Sequence, residues 1–179
     1  TPFSPYTDTT PTRLHGQMGG TSTPIPTATM AGIPGFTIVI DDGDNGFWQN
    51  GGVWTSSPLA NQGDPVWAEN TASAEVMVEW QPEMEQCGVY RLEVFIPSDY
   101  GTSRQALYEI SHREGVDYVT LDQKSNAQNW ATLGTYEFSP DEAAMLKLSS
   151  MTGELPGTTR VVFDAARWLY LSPCGSGSD

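Results

Sequence analysis

The sequence predicts an all-β fold, a jelly-roll β-sandwich of two antiparallel sheets preceded by an extended Thr/Pro-rich tail. Three observations carry this expectation. From residue 36 onward, short segments of alternating or β-branched apolar residues are separated by Gly, Pro, Asn and Asp turns. The whole chain carries six Trp, seven Tyr and six Phe, all but Phe3 and Tyr6 downstream of residue 35, while lysine is reduced to Lys124 and Lys147. The single helix signal, Ser139-Pro140-Asp141-Glu142, is a capped turn at most.

The elements follow in order. Thr37–Ile40 (TIVI) is a β-branched run that stops at Asp41-Asp42-Gly43-Asp44-Asn45-Gly46 and restarts with Phe47 and Trp48, which reads as strand, tight acidic loop, strand. Ala74–Trp80 alternates Ala, Val, Val and Trp against Glu75, Met77 and Glu79, a period of two with one solvated face. Gly88–Pro97 sets Tyr90, Leu92, Val94 and Ile96 against Arg91 and Glu93 in the same way. Further strands are expected near 105–111, 117–121, 132–138 and 145–148, and a last one over 160–171. Turns fall at Pro97-Ser98-Asp99, Glu114-Gly115, Ser125-Asn126, Gly153 and Pro156-Gly157.

Upstream of this body, Thr1–Met30 holds nine Thr and five Pro, with Asp8 and Arg13 as its charges. Such a segment cannot bury enough apolar surface to fold alone, and its prolines favour extended structure. Phe3, Tyr6, Leu14, Met18, Ile25, Met30 and Ile33 could tie it to its own body or to a neighbouring copy. The expected division is therefore a tail over 1–35, a sandwich over 36–174 and a short C-terminal tail over 175–179. The chain begins at Thr1 without a signal-peptide pattern, as expected of a mature or excised product.

Eight Lys+Arg against 22 Asp+Glu give a net charge of −14. A field of that sign repels nucleic acid and anionic membrane surfaces, and suits cations or neutral glycans. No apolar run approaches the roughly 18 residues of a membrane span, so membrane insertion is not expected. Cys87 precedes the strand near 89–96 and Cys174 follows the strand ending at Leu171. If those strands pair antiparallel, the cysteines meet at one end within bridging range. The alternative is two unrelated thiols.

The order Ile40-Asp41-Asp42, Gly46-Phe47, Gly52-Val53-Trp54, Trp80-Gln81-Pro82, Gly88-Val89-Tyr90, Phe95-Ile96-Pro97, His112 with Gly115, Leu121-Asp122-Gln123, Trp130–Phe138 and Asp164-Ala165-Ala166-Arg167 resembles the golvesin C-terminal-like, or xanthan-lyase-type, domain. The likeness spans about 38–171, the whole body and none of the tail. It implies a jelly-roll module of secreted or surface proteins of bacteria, often beside an enzyme, and it carries over no catalytic residue.

Four carboxylates form the candidate metal site: Asp41, Asp42 and Asp44 in the acidic loop, with Asp164 as an extra ligand brought in if first and last strands pair. Calcium takes six to eight oxygen ligands, which such a loop and its carbonyls can supply. The competing expectations are a turn whose Asp and Asn cap the backbone, and an Asp164 satisfied by Arg167 or by amides. No other cofactor is expected. Trp54, Trp80 and Trp130 are expected in the core, and Trp168 fits either role. Trp48, Trp67 and Tyr100, read as loop aromatics, are the candidate glycan platform. Glu75 and Glu79 form a carboxylate pair on a wet face, and His112 shows no triad partner, so no enzyme activity is expected.

The expected function is thus a non-catalytic extracellular or cell-surface sandwich that self-assembles with copies of itself through its N-terminal tail into a layer or filament. The alternative is a carbohydrate-binding accessory module of a secreted protein or of a sensor ectodomain.

Overall fold

A computed structural model describes residues 35–51, 55–56 and 66–175. The tail with its seven apolar anchors, Trp54 and the last four residues lie outside the described residues. The described chain forms twelve strands: β1 (Thr37–Ile40), β2 (Phe47–Asn50), β3 (Thr55–Ser56), β4 (Val66–Glu69), β5 (Met77–Trp80), β6 (Gly88–Ile96), β7 (Ala106–His112), β8 (Gly115–Leu121), β9 (Asn129–Phe138), β10 (Met145–Ser149), β11 (Arg160–Phe163) and β12 (Ala166–Pro173). Lys124–Asn126 makes one turn of 3-10 helix. The segment 139–142 is a turn, closed by the Ser139 hydroxyl accepting from the Asp141 amide at 3.3 Å.

Two main sheets face each other, as the sequence predicts. One has the order β1-β12-β6-β9, the other β2-β5-β10-β7-β8, and a small third sheet runs β11-β4-β3. All strand pairs of these sheets are antiparallel. One continuous core joins both main sheets, with Val78, Trp80, Tyr90, Leu92, Tyr108, Ile110, Leu146, Leu148 and Trp168 at most 1% exposed. These are the inward positions of period-two strands, so alternation in the sequence becomes a two-faced sheet. Trp168 therefore belongs to the core.

Three expectations need correction. Residues 160–171 are two strands in different sheets, because the chain turns at Asp164-Ala165, where the Ala165 carbonyl accepts from Phe95 N–H at 2.8 Å. Glu93 does not face water. It is 5% exposed, with Arg91 Nε at 2.9 Å, Arg167 Nη2 at 2.5 Å and the Thr132 hydroxyl at 3.1 Å. Trp130 is half-buried on the outer face of the four-stranded sheet, 4.0 Å beneath the Arg167 guanidinium and beside Phe95, rather than in the core.

The strand pairing also settles the cysteines. Gly88 on β6 lies opposite Pro173 on β12, so Cys87 and Cys174 meet and form a disulfide with Cα atoms 5.6 Å apart. A side chain at Gly88 would strike the Tyr170 ring at 2.5 Å, which keeps that strand entry a glycine.

A buried amide links the two halves of the fold. Gln123, fully buried, donates through Nε2 to the Val162 carbonyl at 2.9 Å and to the Tyr108 hydroxyl at 3.0 Å. Its Oε1 accepts from the Val162 N–H at 3.0 Å. The side chain thus occupies the place of a further strand beside β11 and satisfies two backbone groups that burial would otherwise leave unpaired. Burial also pushes the Tyr108 phenol far above its ordinary range.

Candidate functional site

The acidic loop and Asp164 come together as the strand order requires. β1 pairs with β12, Ile40 opposite Ala166, so the residues after Ile40 meet those before Ala166. Carboxylate oxygens of Asp41, Asp42 and Asp164 lie within 4.8 Å of one another. Asp164 accepts from the Ala165 amide at 3.0 Å, while its carbonyl accepts from Trp80 Nε1 at 2.8 Å. Burial, a hydrogen bond with Asp41 and the charges of Asp41 and Asp42 push the Asp164 carboxyl up to about 8. Arg167, which the sequence offered as its partner, is committed to Glu93 instead.

Asp44 has a different task. Its Oδ2 accepts from the Asp41 amide at 2.9 Å, and its own N–H donates to the Asp41 carbonyl at 3.1 Å. The loop is therefore partly turn chemistry, closed by Gly46, where φ is 95° and an added Cβ would lie 2.6 Å from the Gln81 carbonyl oxygen, so no side chain fits. Three of the four expected ligands converge, and they are hard oxygen donors of the type calcium takes.

The aromatic candidates separate. Trp48 and Trp67 lie on strands, not loops: Trp48 on the edge strand β2, Trp67 on β4 of the small sheet. Tyr100 does lie in a loop, at φ 77°, where it stacks on Trp67 with ring centres 5.5 Å apart and planes within 6°. Arg160 places its guanidinium 4.6 Å from the Trp67 ring. Trp67 and Tyr100 thus spend ring surface on each other and on Arg160, which makes them a clamp over the small sheet rather than an open platform.

Trp48 is the open one, 59% exposed. It stands on the rim of a cleft of about 1020 Å³ that runs along β1 and past the β2–β5 end, with Asn45, Gln81, Glu83 and Glu142 among its lining. A second, smaller concavity of about 450 Å³ lies on the sheet face beside Trp48, with Gln49, Asn50, Met77, Glu79 and Gln81. Gln81 serves both, its Nε2 donating to Glu79 Oε2 at 2.9 Å.

Glu79 is half-buried and Glu75 exposed on the wet face of the β5 segment, as their alternation implies. His112 has neighbours that the sequence does not show. Its Nε2 lies 3.4 Å from Asp117 across the β7–β8 hairpin, its Nδ1 accepts from the Glu114 amide at 3.3 Å, and its ring packs on Tyr136 at 4.8 Å. The Glu114 amide and the Tyr136 ring thus fix the imidazole at the end of the hairpin. Tyr118, 63% exposed on β8, is the functional candidate that pattern reading passes over, because one exposed Tyr in an edge strand gives no local signal.

Comparison with known proteins agrees with this architecture. A xanthan lyase of Bacillus sp. (strain GL1) is 22% identical over 107 residues, covering 57% of this chain. The solved structure of a Paenibacillus xanthan lyase superposes with a TM-score of 0.67 and 22% identity over 78% of this chain, a likeness of fold. The chain spans 11% of the first relative and 13% of the second. The family model described as the golvesin C-terminal domain matches residues 38–169, nearly the whole sandwich, and the chain belongs to that family.

Proposed function

We propose that this domain is a non-catalytic binding module of an exported protein and that its ligand is a neutral glycan. The observation that carries the reading is Trp48, an open indole on the rim of a cleft with the side chains of Asn45 and Gln81 beside it. An indole face takes the apolar face of a pyranose ring, and amides supply hydrogen bonds to its hydroxyls. The net charge of −14 favours neutral over acidic polymers. The Cys87–Cys174 disulfide fits an oxidising compartment, in keeping with export. A glycan array probed with the wild-type domain and with Trp48→Ala tests the reading. Binding to neutral glycans that falls at least tenfold in the variant is expected, and a wild type silent across all neutral glycans overturns it.

A second reading, self-assembly through the tail, is favoured by the place of β1. This strand is an outer strand of the four-stranded sheet and directly follows the tail, so its edge, unpaired among the described residues, could accept an extended segment from another copy. Size-exclusion chromatography of the full chain against a chain starting at residue 35 decides it. A monomer in both cases removes this reading and leaves the first untouched.

A further inference from the structure

The registers of the five-stranded sheet set one row of side chains across its outer face. Trp48 on β2 lies opposite Glu79 on β5, and Glu79 opposite Lys147 on β10. Lys147 lies opposite Glu109 on β7, and Glu109 opposite Tyr118 on β8. Directly opposed residues of antiparallel strands share a face. That face is the outer one, because the sequence neighbours Val78, Trp80, Leu146, Leu148, Tyr108 and Ile110 are core residues at most 1% exposed.

The row begins and ends on an aromatic ring. Among the described residues, Trp48 (59%) and Tyr118 (63%) are the two aromatic side chains left largely open to solvent, and both fall at the ends of this one row. Four interstrand steps separate them, about 19 Å. Between them the polar groups are held in place: Lys147 Nζ donates to Glu109 Oε1 at 3.1 Å, and Glu79 accepts from Gln81 at 2.9 Å. All three charged side chains of the row are only partly exposed, with Lys147 at 24% and Glu109 at 28%. Two open rings flanking a floor of oriented donors and acceptors suit an extended, hydroxyl-rich ligand. Two carboxylates against one ammonium, in a chain of charge −14, disfavour an acidic one.

We infer that this row is a binding line for an extended neutral oligosaccharide that lies across the strands, with Trp48 and Tyr118 as ring platforms at its two ends. Glu79, Lys147 and Glu109 meet the sugar hydroxyls between them. The inference rests on the glycan reading above and adds Tyr118, the direction of the ligand and a requirement for length, since one sugar ring cannot reach both platforms.

Calorimetric titration of wild type, Trp48→Ala and Tyr118→Ala with neutral β-linked gluco- and manno-oligosaccharides of two to six units tests it, with oligogalacturonate as the acidic comparator. Affinity is expected to rise with length, and each variant to lose about tenfold for the longest chains, the effect of one lost aromatic contact. Tyr118→Ala is expected to leave the shortest ligand unaffected, and oligogalacturonate to bind more weakly than neutral chains. Wild type that binds while Tyr118→Ala binds every length equally well overturns the row and spares the glycan reading. Wild type silent on these series and on a neutral array overturns both. Should the two variants instead dissolve a self-associated wild-type species in sedimentation velocity, the face is an interface between copies and the inference falls. Thermal melts of the variants, expected to match wild type because both side chains are exposed, separate lost binding from lost folding.

Discussion

Replacing Gln123 by Leu removes the amide that joins β11 to the five-stranded sheet, and the cost can be worked from its three hydrogen bonds. Leucine is apolar and of similar bulk, so the cavity contribution is small, and the substitution isolates the polar one. Val162 loses partners for both its N–H and its carbonyl, and Tyr108 loses a donor, all in a fully buried site. Each buried backbone group left unpaired costs about 1–3 kcal/mol, partly offset by the easier burial of an apolar side chain. The expected loss is about 3 kcal/mol, or roughly 6–12 °C in melting temperature for a domain of this size. Urea unfolding followed by tryptophan fluorescence without reductant reads it as a lower midpoint at unchanged slope. Gln123→Glu supplies the control. An ionised carboxylate still accepts from Val162 N–H but cannot donate, so its defect at neutral pH should shrink as the medium is acidified and the carboxyl regains a proton. Stability of Gln123→Leu within about 0.5 kcal/mol of wild type, below the cost of even one orphaned backbone group, would refute the bridging role.

Two further outcomes follow from the same structure. Replacing both Cys87 and Cys174 by Ser opens a closed loop set by a sequence separation of 87. It should lower stability by about 4–5 kcal/mol in the chain-entropy model, and urea midpoints with and without reductant check this. Asp164→Asn should raise stability in chelator-treated buffer near pH 7–8, by on the order of 2 kcal/mol, because the unfolded chain ionises Asp164 freely whereas burial and two neighbouring carboxylates make the folded state hold it protonated, a cost that a neutral amide does not carry. The folded-state value lies above the unfolded one, so the wild-type contribution is fully present below about pH 4 and is lost as pH rises through about 8. Wild-type melting temperature should therefore fall more steeply than the variant's over that range, and parallel curves would count against the assignment.

Much of the sandwich was legible because alternation is a direct imprint of two-faced strands. Ala74–Trp80 and Gly88–Pro97 show this at Val76, Val78, Trp80 and at Tyr90, Leu92, Val94, Ile96, all buried. Glu93 broke the rule for a reason no periodicity contains. It faces outward by register but is sealed by two arginines and Thr132 from neighbouring positions, partners 2, 39 and 74 residues away. Gln123 was hidden likewise, since a Gln between a strand end and a turn reads as solvated until the fold lays β11 against it. The convergence of Asp41, Asp42 and Asp164 was readable because pairing of first and last strands fixes it. The face proposed for glycan binding was only half readable: exposure of Trp48 depends on its place in an edge strand. The alignment of Trp48 with Tyr118 depends on four successive registers that sequence does not state.

The disulfide has a mechanical meaning. β1 and β12 run antiparallel with Thr37 opposite Leu169, so the incoming chain at Phe36 and the outgoing chain at Cys174 leave from the same end of the sandwich. A load applied between them would peel β1 from β12 one residue pair at a time rather than shear the pairs together. The outgoing side cannot yield in that way, because the Cys87–Cys174 bond passes tension directly to the start of β6 and leaves β12 slack. The weak link under traction is thus the four-residue β1. Its last contact to part lies at Ile40 and Ala166, beside the Asp41, Asp42 and Asp164 carboxylates.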